Sequence, residues 1–150
     1  MRQLTISGVD GTVKVEPLKA AGLESADIHQ IINLYKEPGW WSESDNDAPD
    51  AVQKIIQGSF CFVVATLNGK IIGIGRAISD GFSDAYIQDV TVTGDFRGKG
   101  IAVLIVDELV EYLTSKNIGW IALISEPKAV SFYRRYGFSQ MENYVPFQLK

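Results

Sequence analysis

The spacing of the hydrophobic residues changes several times along the chain and predicts a mixture of helices and strands. After Ser25 the apolar positions recur three or four residues apart, as they do on one face of a helix. Ser25 or Asp27 is placed to cap this helix, and the Glu-Pro-Gly at 37–39 to end it. Pro49 stands at the expected start of a second, shorter helix.

Continuous apolar runs follow these helices and predict strands. Residues 60–67 and 70–77 flank Asn68-Gly69, and an Asn-Gly pair between two apolar runs is a strong signal for a hairpin turn. Residues 86–92 have strand character, and the β-branched apolar run at 118–124 predicts a strand that is buried in the sheet.

The remaining elements complete the expected order. Residues 101–115 have helical spacing, residues 128–136 predict a short helix that Gly137 ends, and residues 144–149 predict a last strand. Together the elements predict an α/β (α+β) fold: a mixed, mostly antiparallel sheet of about six to seven strands, flanked by about four helices. At 150 residues the chain is expected to be one domain, in which residues 1–11 form either a loose arm or an extra strand.

Composition narrows the choice of partners. The formal net charge is −4, so nucleic acid is not an expected partner. No apolar run approaches the ~20 residues of a membrane-spanning helix, and no basic segment followed by an apolar one opens the chain. A cytoplasmic protein without a membrane partner is therefore expected. The single cysteine, Cys61, lies in an apolar run and is expected to be a buried structural thiol.

Residues 97–102 read Arg-Gly-Lys-Gly-Ile-Ala and lie where a predicted strand ends and a helix begins. Glycines let the backbone approach a ligand, and the first N–H groups of a helix lack partners inside it, so this turn is expected to bind an anion. A magnesium-binding P-loop requires Ser or Thr after Gly-Lys, but Gly100 follows Lys99. A dinucleotide-binding turn requires a third glycine, where this chain has Val103.

A third phosphate-binding pattern does fit these residues. Arg97-x-x-Gly100-x-Ala102, followed downstream by Phe132-Tyr133 and then Gly137-Phe138, resembles the acyl-CoA-binding core and the terminal signature of the GCN5-related N-acetyltransferase (GNAT) superfamily. The resemblance implies that the chain is an N-acetyltransferase with acetyl-CoA as co-substrate and with no metal.

The resemblance also implies where acetyl-CoA binds. Its pyrophosphate is expected on the backbone N–H groups of the glycine turn, and its pantetheine arm along the strand before that turn. A backbone N–H near Val90 or Thr91 is then placed to polarise the thioester carbonyl. The implied cofactor-binding residues are Val90, Thr91, Val92, Arg97, Gly98, Lys99, Gly100, Ile101, Ala102, Val103, Glu126 and Tyr133.

Two further residues are implied in catalysis. Tyr133 matches the general acid of the family, which protonates the departing thiolate. Gln88 stands where polyamine-type relatives carry a glutamate base; an amide cannot hold the proton, but it can orient a water that relays it. Strand alternation places Asp89 on the opposite face of the sheet from Gln88. A carboxylate of the loop at 43–50, or Glu126, is the alternative base.

The acceptor site is expected to contain Trp40, Trp41, Tyr86 and Gln88. Residues 37–50 include five acidic residues and no basic one, which favours a cationic group, and tryptophan can hold such a group by a cation–π contact. A solvated acidic loop is the equally open alternative.

The expected acceptor is a small-molecule primary amine with a cationic or aromatic body. A protein acetyltransferase acting on lysine or N-terminal amines, and a non-catalytic acyl-CoA-binding module, are the alternatives. A homodimer that uses residues 144–149 is expected by analogy with relatives.

Overall fold

The structure is a computed structural model that describes residues 1–18, 21, 23–44 and 48–150. Six strands and four helices are present in this part of the chain. The strands are β1 Arg2–Thr5, β2 Thr12–Pro17, β3 Cys61–Leu67, β4 Lys70–Ser79, β5 Asp84–Val92 and β6 Trp120–Leu123. The helices are α1 Ser25–Lys36, α2 Ala48–Gly58, α3 Ile101–Ser115 and α4 Val130–Tyr136, with short 3-10 turns at Gly94–Phe96 and Pro127–Ala129.

All six strands belong to one sheet, in which they follow each other in chain order. β1 to β5 pair antiparallel, and β6 pairs parallel to β5 through the crossover helix α3. This arrangement confirms the predicted mixed, mostly antiparallel sheet with flanking helices. The first residues are not a loose arm, because Arg2 to Thr5 pair with Thr12 to Val15.

The two faces of the sheet bury separate sets of side chains. On β3, Cys61, Val63 and Ala65 pack toward α3, whereas Phe62 and Val64 pack toward α1 and α2. This alternation is the period of two that a strand covered on both faces requires. The N-cap residue of helix α1 is Glu24, not Ser25 or Asp27 as predicted; Asp27 completes a reciprocal cap by accepting the backbone N–H of Glu24 at 3.1 Å.

Strand β5 contains a bulge beside the glycine turn. Arg76 of β4 pairs with Gln88, but Ile74 pairs with Thr91, so β5 carries one extra residue between these pairs. Asp89 lies within the bulge and adopts a left-handed backbone with φ of 57°. The expectation that Asp89 and Gln88 point to opposite faces is therefore wrong, because the bulge breaks the alternation and both side chains bond to Arg76.

The end of the chain also differs from the prediction. Residues 144–149 do not form a strand, and Phe147 is 94% exposed. Pro146 lies in the middle of this segment and has no N–H to donate to a sheet ladder. The strand predicted as buried at 118–124 is shorter and lies at the sheet edge as β6, with its residues exposed or half-buried. Among the described residues no helix combines the length and apolarity needed to cross a membrane.

Candidate acyl-CoA site and adjoining cavity

The glycine turn links the end of β5 to the start of α3. Gly98 and Gly100 have φ of 72° and 86°, a left-handed conformation that side-chain-bearing residues rarely adopt. Gly100 is the residue before α3, and no side chain caps the helix there. The first N–H groups of α3 therefore point out of the turn without an intrahelical partner, which is the arrangement that binds an anion.

A groove of about 440 Å³ runs along this turn and the end of β5. It is lined by all of the predicted cofactor-binding residues except Lys99: Val90, Thr91, Val92, Arg97, Gly98, Gly100, Ile101, Ala102, Val103, Glu126 and Tyr133. The structure thus brings together in one groove the β5 backbone, the glycine turn and the start of α3. These are the elements that the resemblance implies for the phosphate and pantetheine parts of acetyl-CoA.

Arg97 stabilises the glycine turn through its side chain. Its Nε donates to the carbonyl of Val92 at 2.9 Å, and a terminal nitrogen lies 3.4 Å from the Glu37 carboxylate. The same Glu37 oxygen accepts the backbone N–H of Gly94 at 2.7 Å. The contribution of Glu37 was not predicted, because its partners lie 57 and 60 positions further along the chain.

Trp40 and Glu126 form the opposite wall of the groove. The indole N–H of Trp40 donates to the Glu126 carboxylate at 2.9 Å, and Lys128 lies 3.0 Å from the other carboxylate oxygen. The hydrogen bond from Trp40, and then the bond from Lys128, lower the pKa of Glu126. Glu126 therefore stays ionised and is a weak proton acceptor near neutral pH.

Tyr133 lies at the end of this groove, on α4. Its ring packs edge-on against Phe132 and Phe138, with centroid distances of 5.0 and 5.8 Å. Burial of the phenol, and then the nearby Glu126 carboxylate, raise the pKa of Tyr133. The hydroxyl therefore keeps its proton and is available as a donor.

A second cavity of about 450 Å³ lies on the other side of Tyr133. Tyr86 of β5 and Trp120 of β6 form one wall with their rings 5.5 Å apart, and Tyr144 contributes from the C-terminal segment. Among the described residues, Tyr133 is the one that lines both this aromatic cavity and the groove. The described lining of the aromatic cavity contains Arg134 but no Asp or Glu.

The four predicted acceptor-site residues are not all brought together. Tyr86 lines the aromatic cavity, whereas Trp40 lines the groove on the other side of Tyr133. Trp41 stacks on Tyr35 at 4.4 Å, and Gln88 accepts a hydrogen bond from Arg76 at 3.0 Å. Trp120 was not predicted. The order of the elements contained a signal for it, because a strand that follows a crossover helix is expected to pair parallel to the strand before that helix. This pairing of β6 with β5 places Trp120 near Tyr86.

The described acidic residues near Trp40 are paired with residues that do not line the aromatic cavity. Glu37 bonds to the glycine turn, Glu43 pairs with Lys36, and Asp50 pairs with Lys54. Asp45 and Asp47 lie outside the described residues. The described carboxylates of this loop therefore do not line the aromatic cavity. In the part of the chain that the structure describes, no group of three metal-ligating side chains is placed to hold a metal ion.

Comparison with known proteins identifies the family of the chain. A profile of the acetyltransferase (GNAT) domain family matches residues 39–147, and the chain therefore belongs to the GNAT family. Among solved structures it resembles a protein of unknown function from methicillin-resistant Staphylococcus aureus, with a TM-score of 0.73 and 21% identity over 92% of this chain and 98% of that one. A predicted acetyltransferase of Clostridium acetobutylicum, whose structure was determined with acetyl-CoA, has a TM-score of 0.70 and 20% identity over 91% and 96% of the two chains.

Curated relatives share shorter stretches. The chain is 39% identical over 71 residues to the uncharacterized N-acetyltransferase ycf52 of Pyropia yezoensis, across 47% of this chain and 41% of that one. It is 37% identical over 71 residues to serotonin N-acetyltransferase 2, chloroplastic, of Oryza sativa subsp. japonica, across 47% and 36%. It is 26% identical over 142 residues to histone acetyltransferase TAP1 of Glycine max, across 86% and 58%. The chain thus spans about two fifths of the length of the first of these relatives.

Proposed function

We propose that this protein is an acetyl-CoA-dependent N-acetyltransferase that acts on the primary amine of a small acceptor with an aromatic body. The observation that carries the proposal is the position of Tyr133 between the groove and the aromatic cavity. A donor in the groove and an acceptor in the cavity would meet at this residue, which is where a transfer reaction needs a proton donor.

The residues of the groove suit acetyl-CoA. The glycine turn and the start of α3 would hold the pyrophosphate, since backbone N–H groups and the helix dipole both favour an anion there. The end of β5 at Val90 and Thr91 would lie along the pantetheine arm and orient the thioester carbonyl. When bound, acetyl-CoA supplies an activated acetyl group whose carbonyl carbon a neutral amine can attack.

Tyr133 would supply the proton that the departing CoA thiolate takes up. The new C–N bond forms as the C–S bond breaks, and the phenol recovers its proton from solvent. Gln88 is held by Arg76, and Glu126 has a lowered pKa, so we expect neither to remove the proton of the amine. The acceptor would enter as the free amine, and the proton that its nitrogen loses as the amide forms would pass to water.

The aromatic cavity favours one kind of acceptor over the other predicted kinds. Tyr86 and Trp120 offer ring faces and edges to an apolar body, and Arg134 is a positive charge that disfavours a second ammonium group. A polyamine needs carboxylates along its length, and the described lining provides none. One relative bears the name serotonin N-acetyltransferase, which agrees with an aromatic amine.

Protein acetylation is the second candidate, because one relative is named a histone acetyltransferase. The test is a thiol-release assay with acetyl-CoA and three acceptors: phenethylamine, spermidine and a lysine-containing peptide. We expect phenethylamine to have a kcat/KM at least tenfold above the other two. Preference for the peptide would favour the second candidate, and CoA binding without turnover of any amine would identify a non-catalytic module.

We also propose a homodimer in which the C-terminal segment contacts a second copy. Val145, Phe147 and Leu149 are exposed and alternate along this segment, and β6 has no partner strand on its outer side among the described residues. Light scattering after gel filtration should give twice the chain mass. A monomer at micromolar concentration, with the same mass after Phe147→Glu, would contradict this proposal.

A further inference from the structure

Asp89 has a backbone conformation that is uncommon for a residue with a side chain. Its φ of 57° lies in the left-handed region, and it occupies the bulge immediately before Val90 and Thr91, which line the groove. Within a strand such a conformation has to be held by its surroundings, and β-bulges are frequent next to active sites.

The Asp89 carboxylate joins three elements of the fold. One of its oxygens accepts from Arg76 Nε on β4 at 2.5 Å and from the Tyr35 hydroxyl on α1 at 2.8 Å. Arg76 also donates to the Gln88 side chain at 3.0 Å. The Asp89 and Arg76 side chains are only 23% and 16% exposed, so this pair is largely shielded from solvent. Burial, and then the Asp89 charge, raise the pKa of Tyr35, which therefore remains a hydrogen-bond donor.

Tyr35 extends the connection to the other wall of the groove. Its ring stacks on Trp41 and meets Trp40 edge-on at 6.1 Å. Trp40 in turn bonds to Glu126 in that same wall. One carboxylate is thus linked, through side chains in contact, both to the bulge before Val90 and Thr91 and to the wall that Trp40 and Glu126 form.

From this geometry we infer that Asp89 is a positioning residue for acetyl transfer. It holds the bulge so that the backbone at Val90 and Thr91 faces the acetyl carbonyl, and through Tyr35 it places Trp40. The inference rests on the proposed function for its effect on turnover. The pyrophosphate seat should not depend on Asp89, because Arg97 and Glu37 brace the turn separately.

The test compares three variants by two measurements. Asp89→Asn tolerates a left-handed backbone but lacks the charge, and Tyr35→Phe keeps the ring stack but lacks the hydroxyl. Tyr136→Phe is the matched control, because the Tyr136 hydroxyl also bonds to a carboxylate, that of Asp107, at 2.8 Å but lines neither cavity. The measurements are kcat for acetyl transfer, and the calorimetric Kd values for acetyl-CoA and for CoA.

Asp89→Asn should lower kcat at least tenfold and reduce the preference for acetyl-CoA over CoA, while the Kd for CoA changes less than threefold. Tyr35→Phe should show the same pattern at a smaller size and add nothing to Asp89→Asn in the double variant. Tyr136→Phe should leave both measurements unchanged. A lower melting temperature with kcat and the acetyl-CoA preference unchanged would reduce Asp89 to a structural role and overturn the inference.

The two Kd values keep the inference separate from the proposed function. If the wild-type protein turns over no amine, the proposed function fails. A loss of acetyl-CoA preference in Asp89→Asn would then still support the positioning role, and an unchanged preference would refute it.

Discussion

Replacement of Tyr133 by phenylalanine removes the hydroxyl proposed to protonate the CoA thiolate and leaves the ring in place. The phenylalanine ring can keep the edge-on contacts with Phe132 and Phe138, which lie 5.0 and 5.8 Å away. We therefore expect little loss of stability and little change in the affinity for CoA. The variant isolates the proton transfer from the packing.

The size of the effect follows from two pKa values. An ordinary phenol has a pKa near 10 and a thiol near 8.5, so proton transfer from the phenol to the thiolate is uphill by about 2 kcal/mol. Burial and Glu126 raise the Tyr133 pKa further and increase this difference. General acids contribute about 10²–10⁴-fold, and a donor with so high a pKa belongs at or below the lower end. We expect kcat to fall about 10- to 100-fold.

The assay is steady-state thiol release across pH 6–10, with phenethylamine as acceptor and with the Kd for CoA measured in parallel. An ordinary phenol has a pKa near 10, and burial and then Glu126 raise the pKa of Tyr133, so titration of its hydroxyl should cause no alkaline decline in the wild-type rate up to about pH 9. A kcat for Tyr133→Phe within threefold of wild type would refute the acid role. An alkaline decline of the wild-type rate near pH 8, absent in the variant, would refute the raised pKa.

Three further predictions concern the aromatic cavity and the core. Trp120→Ala should raise the KM for phenethylamine at least tenfold with the KM for acetyl-CoA unchanged. Equal effects on the two KM values would contradict a role of this ring in acceptor binding. Gly75→Ala should destabilise the fold by about 1–3 kcal/mol in urea unfolding, because its Cβ would lie 2.5 Å from Ile105. Gly58→Ala, where a Cβ meets nothing within 4 Å, is the control expected within about 0.5 kcal/mol. Cys61 is 5% exposed, and burial raises the pKa of its thiol to about 12. Iodoacetamide at pH 8 should therefore label it at least about 100-fold faster in urea than in buffer. Equal rates would contradict its burial.

Elements with strong local signals were predicted closely. The helix expected at 101–115 is α3, Ile101–Ser115, and the Asn68-Gly69 hairpin joins β3 to β4 with both residues at positive φ. A helix face or a two-residue turn depends on side chains only a few positions apart. The groove beside α3 shares this property, since most of its lining comes from the contiguous residues 90–103.

Features set by distant contacts were not predicted. The bulge at Asp89 depends on Arg76 and Tyr35, which lie 13 and 54 positions away. No local sequence pattern predicts it. The buried strand expected at 118–124 lies at the sheet edge because burial depends on what covers a strand, not on its own composition. Trp40 faces the groove and not the aromatic cavity because its direction is set by Glu126, 86 positions further on.

The two cavities therefore differ in how their specificity is built. In the proposed function, the groove would bind acetyl-CoA largely through backbone N–H groups of one continuous segment, and most side-chain substitutions leave those groups in place. The aromatic cavity is assembled from side chains of β5, β6, α4 and the C-terminal segment, so single substitutions there change its shape and charge. Donor use should consequently be robust to substitution and acceptor choice sensitive to it. Trp120 and Arg134 are the positions at which a change of acceptor should be easiest to produce without loss of acetyl-CoA binding.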